Sequence, residues 1–195
     1  RKAIAGQDDV ETLEMGVTAA GLAEAANLLA GKYHWIITNV PYLARGKQAY
    51  ALKKHCETRH AEAKNDLATV FLDRCVSFIS AKQGVLSVVM PQSWLFLSGY
   101  KRFREKILTN LKWNLTGWLG EGGFESSSAA GAFAVLLMLS CDNKAGDKIS
   151  GIEVDQGRTP IEKADLLIRG QVIQSSQSHQ FNNPDYKISF KEIGG

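Results

Sequence analysis

Between residues 66 and 91 the hydrophobic period changes once, and that change limits the folds open to this chain. After Asp66 the apolar residues Leu67, Val70, Phe71, Cys75, Phe78 and Ile79 recur at three- and four-residue intervals, the stripe of a helix closed by Gly84. VLSVVM at 85–90 follows as a strand-like run and is stopped by Pro91. Upstream, TAAGLAEAANLLA at 18–30 reads as a helix ending before Gly31, and HWIIT at 34–38 as a short buried strand. Downstream, Ser93 and the run 94–111 read as a capped helix. Such alternation predicts an α/β layer fold with a mostly parallel sheet, because parallel neighbours need a crossover between them.

The alternation then stops. Two apolar runs, 114–119 and 132–139, are separated only by a glycine- and serine-rich loop, which predicts an antiparallel hairpin at one end of the sheet. Beyond Cys141 the hydrophobic spacing thins. Residues 142–160 read as linker or peripheral strand, 161–168 as a weak helix and 171–183 as a polar tail. The expected division is a compact part over 1–145 and a linker or peripheral segment over 146–195.

Composition excludes several classes. The chain has 195 residues, 45% of them hydrophobic, and no stretch nears the ~20 apolar residues of a membrane helix. The first residue is Arg1, and the thirty that follow hold no signal-peptide pattern, so the expectation is a piece of a longer cytoplasmic protein. Three cysteines, odd in number and without a CxxC pair, argue against a disulfide framework or a zinc site, and Cys75 reads as a small buried hydrophobe. His55, Cys56 and His60 lack a third ligand at metal spacing, so no metal is expected. The net charge of +3 conceals a division: residues 40–110 carry +7, between flanks of −2 each. A field of that sign suits a polyanion, and a solvated lysine face suits it equally.

In open α/β sheets ligands sit beyond the carboxyl ends of the strands. There, after HWIIT, stand Asn39, Val40, Pro41 and Tyr42. Asparagine and proline also make plain turns, and the tetrapeptide alone is weak evidence. HWIITNVPY nevertheless resembles the strand and loop bearing the Asn-Pro-Pro-Tyr motif of the N6-adenine-specific DNA methyltransferases. The resemblance continues through NDLATVFLDRCVSFISAKQGVLSVVMPQSWLFLSGYKRFREKIL to LTGWLGEGGFESSSAAGAFAVLLMLS, about residues 33–140. It is similar in particular to the subgroup found in restriction-modification and phage-exclusion polypeptides.

This resemblance implies a Rossmann-like class I methyltransferase fold, incomplete here, with 1–145 as the C-terminal half of the catalytic domain. It implies S-adenosylmethionine as methyl donor and double-stranded DNA as partner, with a recognition domain or a nuclease in the same polypeptide. The Asn39 side-chain oxygen and the backbone carbonyl of Val40 would accept the two N6–H bonds of a flipped adenine, while Pro41 shapes the loop and Tyr42 stacks on the base. Val40 replaces the usual proline, so the loop is expected to flex more. Phe124 in GEGGF stands where a second aromatic closes the other face of the base; the alternative is a phenylalanine packed back on the core.

The glycines at 120, 122 and 123 do not make a nucleotide loop, since coil and strand follow them rather than a helix. No donor-binding glycine loop occurs within residues 1–195, and the expectation is that it lies upstream of Arg1. Arg45, Lys47, Lys53, Lys54 and Arg59 follow the tetrapeptide and are expected to meet DNA phosphates. For the cluster at Lys101, Arg102, Arg104 and Lys106, phosphate contact and a plain outer helix face stand level. Two rival functions remain: methyl transfer to another planar amine, an RNA base or a protein glutamine, and a non-catalytic DNA-binding role in which Val40 marks decay of the site.

Overall fold

The computed structural model describes residues 2–80, 83–125, 131–141 and 147–190; at 2–9 and 11 only the backbone is described. The serine-rich stretch at 126–128 and part of the expected linker, 142–146, lie outside the described residues. Two compact units divide the chain, Arg1–Lys32 and Tyr33–Gly195, and both sides of position 145 fall in the second.

The first unit is one helix, α1, Lys2–Ala30. It is longer than the predicted 18–30. Gly6, Gly16 and Gly21, each costing ~1 kcal/mol against alanine, break the sequence signal without breaking the helix. Thr18 is no cap; its hydroxyl donates back to the Glu14 carbonyl at 2.8 Å.

The second unit is built on a six-stranded sheet: β1 Trp35–Asn39, β2 Val85–Pro91, β3 Lys112–Gly120, β4 Ala134–Ser140, β5 Lys148–Glu153 and β6 Ile173–Ser176. Their order across the sheet is β1-β2-β4-β3-β5-β6. β1 lies parallel to β2, and β3 parallel to β5; β4 is antiparallel to both β2 and β3, and β6 to β5. Four strands thus run in one direction and two against it, a mixed α/β sheet. The predicted hairpin exists as the β3–β4 pair, but it is not at the margin: β4 inserts between β2 and β3, and β5 and β6 extend the sheet beyond it.

Helices α2, Tyr50–Arg59, and α3, Leu67–Phe78, connect β1 to β2; α4, Lys101–Asn110, connects β2 to β3; α5, Pro160–Arg169, connects β5 to β6. α3 begins where its stripe predicts, with the Asp66 carboxylate capping the Ala68 amide at 2.8 Å. The helix predicted over 94–111 is instead two 3-10 turns, Gln92–Leu95 and Ser98–Tyr100, followed by α4, and Ser93 caps nothing. The reason is Arg104, fully buried, whose guanidinium takes the carbonyls of Trp94 and Leu97, the latter at 2.8 Å. In a continuous helix those carbonyls would accept from residues four positions on.

Alternation along the strands decides which face is covered. Ile36 registers with Leu86 and Thr38 with Val88, and Leu86, Val88 and Met90 are buried in one cluster with Leu72, Trp94, Phe103, Ile107 and Trp113. Fully burying side chains of this size contributes roughly 1.5–3 kcal/mol each. Cys75 belongs to the same cluster. On the opposite face Trp35, Ile37 and Met138 are exposed. No helix among the described residues is long and apolar enough to cross a membrane.

Candidate active site at the carboxyl edge of the sheet

Because β1, β2, β3 and β5 share a direction, their carboxyl ends lie at one edge, and the start of β4 lies there too. Residues 40–44, 92–98, 120–124, 131–133 and 154–159 form the loops of that edge.

Asn39 closes β1 opposite Val89 of β2, and alternation puts it, exposed, on the face of Trp35 and Ile37. Val40 is 3% exposed, and its amide donates to the Val89 carbonyl at 3.3 Å. Proline has no N–H to give; valine replaces the ring's constraint with a ladder hydrogen bond and a buried side chain. Pro41 is exposed, and Tyr42 is half-buried against the core with its hydroxyl enclosed and unpaired. Burial, and then the nearby Asp66 carboxylate, push the Tyr42 phenol above its ordinary range.

Asp66 does more than cap α3. Its carboxylate accepts from the Leu43 amide at 3.4 Å, while the Leu67 amide donates to the Leu43 carbonyl at 3.0 Å and the Arg45 amide to the Asn65 carbonyl at 3.0 Å. Gln48, buried, donates its side-chain amide to the same Leu43 carbonyl at 3.0 Å. The segment after Tyr42 is thus stapled to the start of α3. The helical stripe starts at Asp66, but the sequence does not show this second task, because Leu43 lies 23 positions away along the chain; Gln48 reaches back only five positions, within a loop that carries no period.

On the far side of the edge, Gly120 and Gly122 have φ of +64° and +76°, where a side chain is strained, and a Cβ on Gly122 would stand 2.8 Å from the Arg158 carbonyl. These glycines turn the chain. Lys163 of α5, 2% exposed, anchors the turn from beneath by donating to the carbonyls of Leu119 at 2.5 Å and Val154 at 3.1 Å. Phe124 is half-buried and packs against the small cluster of Leu119, Ala134 and Val154. Three strand spacings separate β1 from β3, about 14 Å. That gap lies between the Asn39 loop and the Phe124 loop, and the ends of β2 and β4 form its floor, with Gln92 donating its amide to the Phe133 carbonyl at 2.9 Å.

The basic residues sort into two groups. Arg45 pairs with Glu57, and Lys53 reaches the Gly46 carbonyl at 3.5 Å. The side chains of Lys47, Lys54 and Arg59 are exposed and make no hydrogen bond or ion pair with any described residue. In the other cluster Arg104 is buried, Lys106 bonds Asp73 at 2.8 Å and Lys101 pairs with Asp185 at 3.6 Å, so most of that cluster holds protein together. Cys56 is buried, and His60 bonds Asp73 at 2.7 Å. A separate cavity of about 790 Å³ lies among α2, α3 and α4, lined in part by Leu52, Phe71, His55 and Lys106; no loop of the carboxyl edge enters it.

The sequence profile of the Eco57I restriction-modification methylases matches residues 6–116, more than half of the chain. The chain belongs to the Eco57I restriction-modification methylase family. Among curated relatives, this Eco57I-family chain is 29% identical over 86 residues to the adenine-specific methyltransferase PglX of Lacticaseibacillus casei (strain Zhang), covering 44% of the chain and 7% of that protein. It is 26% identical over 121 residues to the adenine-specific methyltransferase BrxX of Escherichia coli O9:H4 (strain HS), covering 62% of the chain and 10% of that protein. The chain therefore spans a tenth or less of the length of these relatives.

Solved structures share the fold. The type I restriction-modification methyltransferase subunit from Streptococcus thermophilus superposes with a TM-score of 0.57 at 16% identity, over 80% of this chain and 37% of that one. A class I S-adenosylmethionine-dependent methyltransferase from Listeria monocytogenes gives 0.52 at 18% identity, over 73% and 43%. The type IIL restriction-modification enzyme MmeI, solved in complex with DNA, gives 0.55 at 15% identity, over 73% and 18%. This chain's mixed sheet is thus an incomplete Rossmann-like fold of the class I methyltransferase kind.

Proposed function

We propose that this chain holds the target base in an adenine-specific DNA methyltransferase of restriction-modification type. The observation that carries the reading is Asn39-Val40-Pro41-Tyr42 at the carboxyl end of β1, fixed to β2 through Val40 and to α3 through Asp66. Family membership and the adenine-specific relatives support it.

The exocyclic amine of adenine is a poor nucleophile because its lone pair is conjugated into the ring. The Asn39 side-chain oxygen and the backbone carbonyl of Val40 accept its two N–H bonds, draw the nitrogen toward tetrahedral geometry and free the lone pair. No general base is required beforehand. Tyr42 stacks on one face of the base, an interaction worth ~1–3 kcal/mol, and Phe124 closes the other. The base leaves its duplex to enter the gap between these loops. Pro41 fixes the φ between the acceptor carbonyl and the stacking ring. S-adenosylmethionine supplies an electrophilic sulfonium methyl; among the described residues no strand runs through a glycine loop into a helix, so none is assigned to that donor. Arg45, Lys47, Lys53, Lys54 and Arg59 face the DNA backbone in this reading, with Lys47, Lys54 and Arg59 the uncommitted cations.

The test is incorporation of labelled methyl groups into DNA, RNA and protein in parallel by the protein that carries this chain. Incorporation into adenine of DNA is expected. Asn39→Ala and Tyr42→Ala each lower it at least a hundredfold while donor binding stays within severalfold. Undiminished incorporation in either variant would overturn the site, and methylation confined to RNA or protein would overturn the substrate.

A further inference from the structure

The cavity among α2, α3 and α4 lies apart from the carboxyl edge, and its walls hold apolar surface without cover and hydrogen-bond donors without acceptors. α3 buries Ala68, Val70, Leu72 and Cys75 in the core. Phe71 of the same helix is 42% exposed and lines the cavity, as do Leu67 one turn before it and Leu52 of α2. The stripe read from the sequence thus has an apolar surplus that the sheet does not use.

The polar lining comes from all three helices. His55 and Arg59 stand one turn apart on α2, His60 ends that helix, and the three share the cavity with Asp73 and Arg74 of α3 and Lys106 of α4. Asp73 is the only carboxylate that lines it among the described residues, and both its oxygens are taken: Oδ2 by His60 Nδ1 at 2.7 Å, Oδ1 by Lys106 Nζ at 2.8 Å. Arg74 is engaged with the Ser77 hydroxyl at 3.1 Å and with the Phe78 ring. The Arg59 guanidinium, the His55 ring nitrogens and Nε2 of His60 have no hydrogen-bond partner among the described residues, and the two histidine rings are 6.0 Å apart. Cations and imidazoles therefore converge where the one acceptor side chain is already used.

The geometry points to a binding site for a phosphomonoester carried on a flat ring, an aryl or nucleoside monophosphate. The walls supply donors and lack acceptors, so the ligand brings them. A phosphomonoester offers three strong acceptor oxygens at nearly two negative charges, whereas a carboxylate offers two oxygens and one charge. Arg59 and His55 take the phosphate from α2, beside the half-enclosed His60, Asp73 and Lys106 network, and the ring lies on Phe71 against Leu52 and Leu67. Stacking of that kind accepts any aromatic face, whatever its edge carries. A volume of about 790 Å³ suits a ligand of this size. Arg59 also stands among the cations given to DNA, but His55, His60 and Lys106 do not, and no loop of the carboxyl edge enters the cavity; the site is independent of the methyltransferase reading.

The experiment is calorimetric titration of the protein that carries this chain with 1-naphthyl phosphate, adenosine monophosphate, inorganic phosphate and the neutral 1-naphthalenemethanol. At least one ester is expected to bind about tenfold or more tighter than both inorganic phosphate and the neutral alcohol, and whichever ester is tighter tells an aryl ligand from a nucleotide. Phe71→Ala is expected to weaken that ester about tenfold and to leave inorganic phosphate unchanged. Phe71→Leu, which keeps bulk but loses the ring, serves if the alanine variant does not fold. Arg59→Gln and His55→Gln are each expected to weaken the ester about fivefold or more without altering the alcohol. No ester binding at millimolar concentration, an ester no tighter than inorganic phosphate, or binding indifferent to Phe71 or to both Arg59 and His55 would overturn the site. Titration reads binding without methyl transfer, so such a failure leaves the methyltransferase reading standing.

Discussion

A proline at position 40 would have no N–H to give Val89. Valine there restores a sheet hydrogen bond and a buried side chain, so a departure from the motif in sequence is a different anchorage in structure. The place of Asn39 at the end of β1, with Tyr42 in the loop after it, was legible from the short apolar run that precedes them. The residues that hold them were not: Asp66 reaches Leu43 across 23 positions, and only folding brings the two together. Asp66 also acts on Tyr100, whose phenol is pushed up to about 12, by burial first and that carboxylate second, against a hydrogen bond with Thr69. Since the folded value lies above the ordinary 10, this group's contribution to stability is complete below pH 10 and is lost as the pH rises toward 12. Denaturant melts across that range are expected to show falling unfolding free energy, and Tyr100→Phe to flatten the slope. An unaltered slope would assign the loss to other groups.

At the scale of elements, the periods of two and of 3.6 residues located β1, α3, β2 and the β3–β4 pair to within a residue or two. They misread residues 94–111, because the helix signal there ran through the carbonyls that Arg104 claims. They also undervalued the tail. QVIQSSQSHQFNN looks like solvent-facing coil, yet its polar groups serve inside: Gln177 accepts from the Trp113 amide at 3.0 Å and donates to the carbonyls of Leu108 and Leu111 at 2.9 and 2.8 Å. One side chain therefore satisfies the joint between α4 and β3, where helix and strand both leave backbone groups open. Arg104 adds a second tie, to the Asp185 carbonyl at 2.8 Å. Such amides escape hydropathy, which scores them as polar and exposed. Gln177→Leu is expected to lower the unfolding free energy by about 2 kcal/mol or more in urea melts, and to speed amide exchange at Trp113. Protection at Trp113 equal to that of the unaltered protein would show that another group can take over.

For the whole molecule, the near-neutral +3 was less informative than its distribution, and the structure divides the +7 segment further. Arg104, Lys106 and Arg45 are spent within the protein, whereas Lys47, Lys54 and Arg59 are available outside it. If DNA is the partner, each phosphate neutralised adds about 0.9 to the steepness with which log affinity falls against log salt. Replacing Lys47, Lys54 and Arg59 with alanine is expected to make that dependence shallower by about one for every phosphate left without its cation, on specific and nonspecific duplexes alike; a constant slope would remove the cluster from the interface. The insertion of β4 between β2 and β3 reaches further still. The two strands it separates are both made before it, and they do not pair with each other. During synthesis the chain therefore emerges as a paired β1–β2 and a lone β3, each with a raw edge, and β2 and β3 are joined into one sheet only once residues 134–140 have left the ribosome. At roughly 5–20 residues per second that wait is on the order of seconds, an interval in which strand edges invite a neighbouring nascent chain or a chaperone.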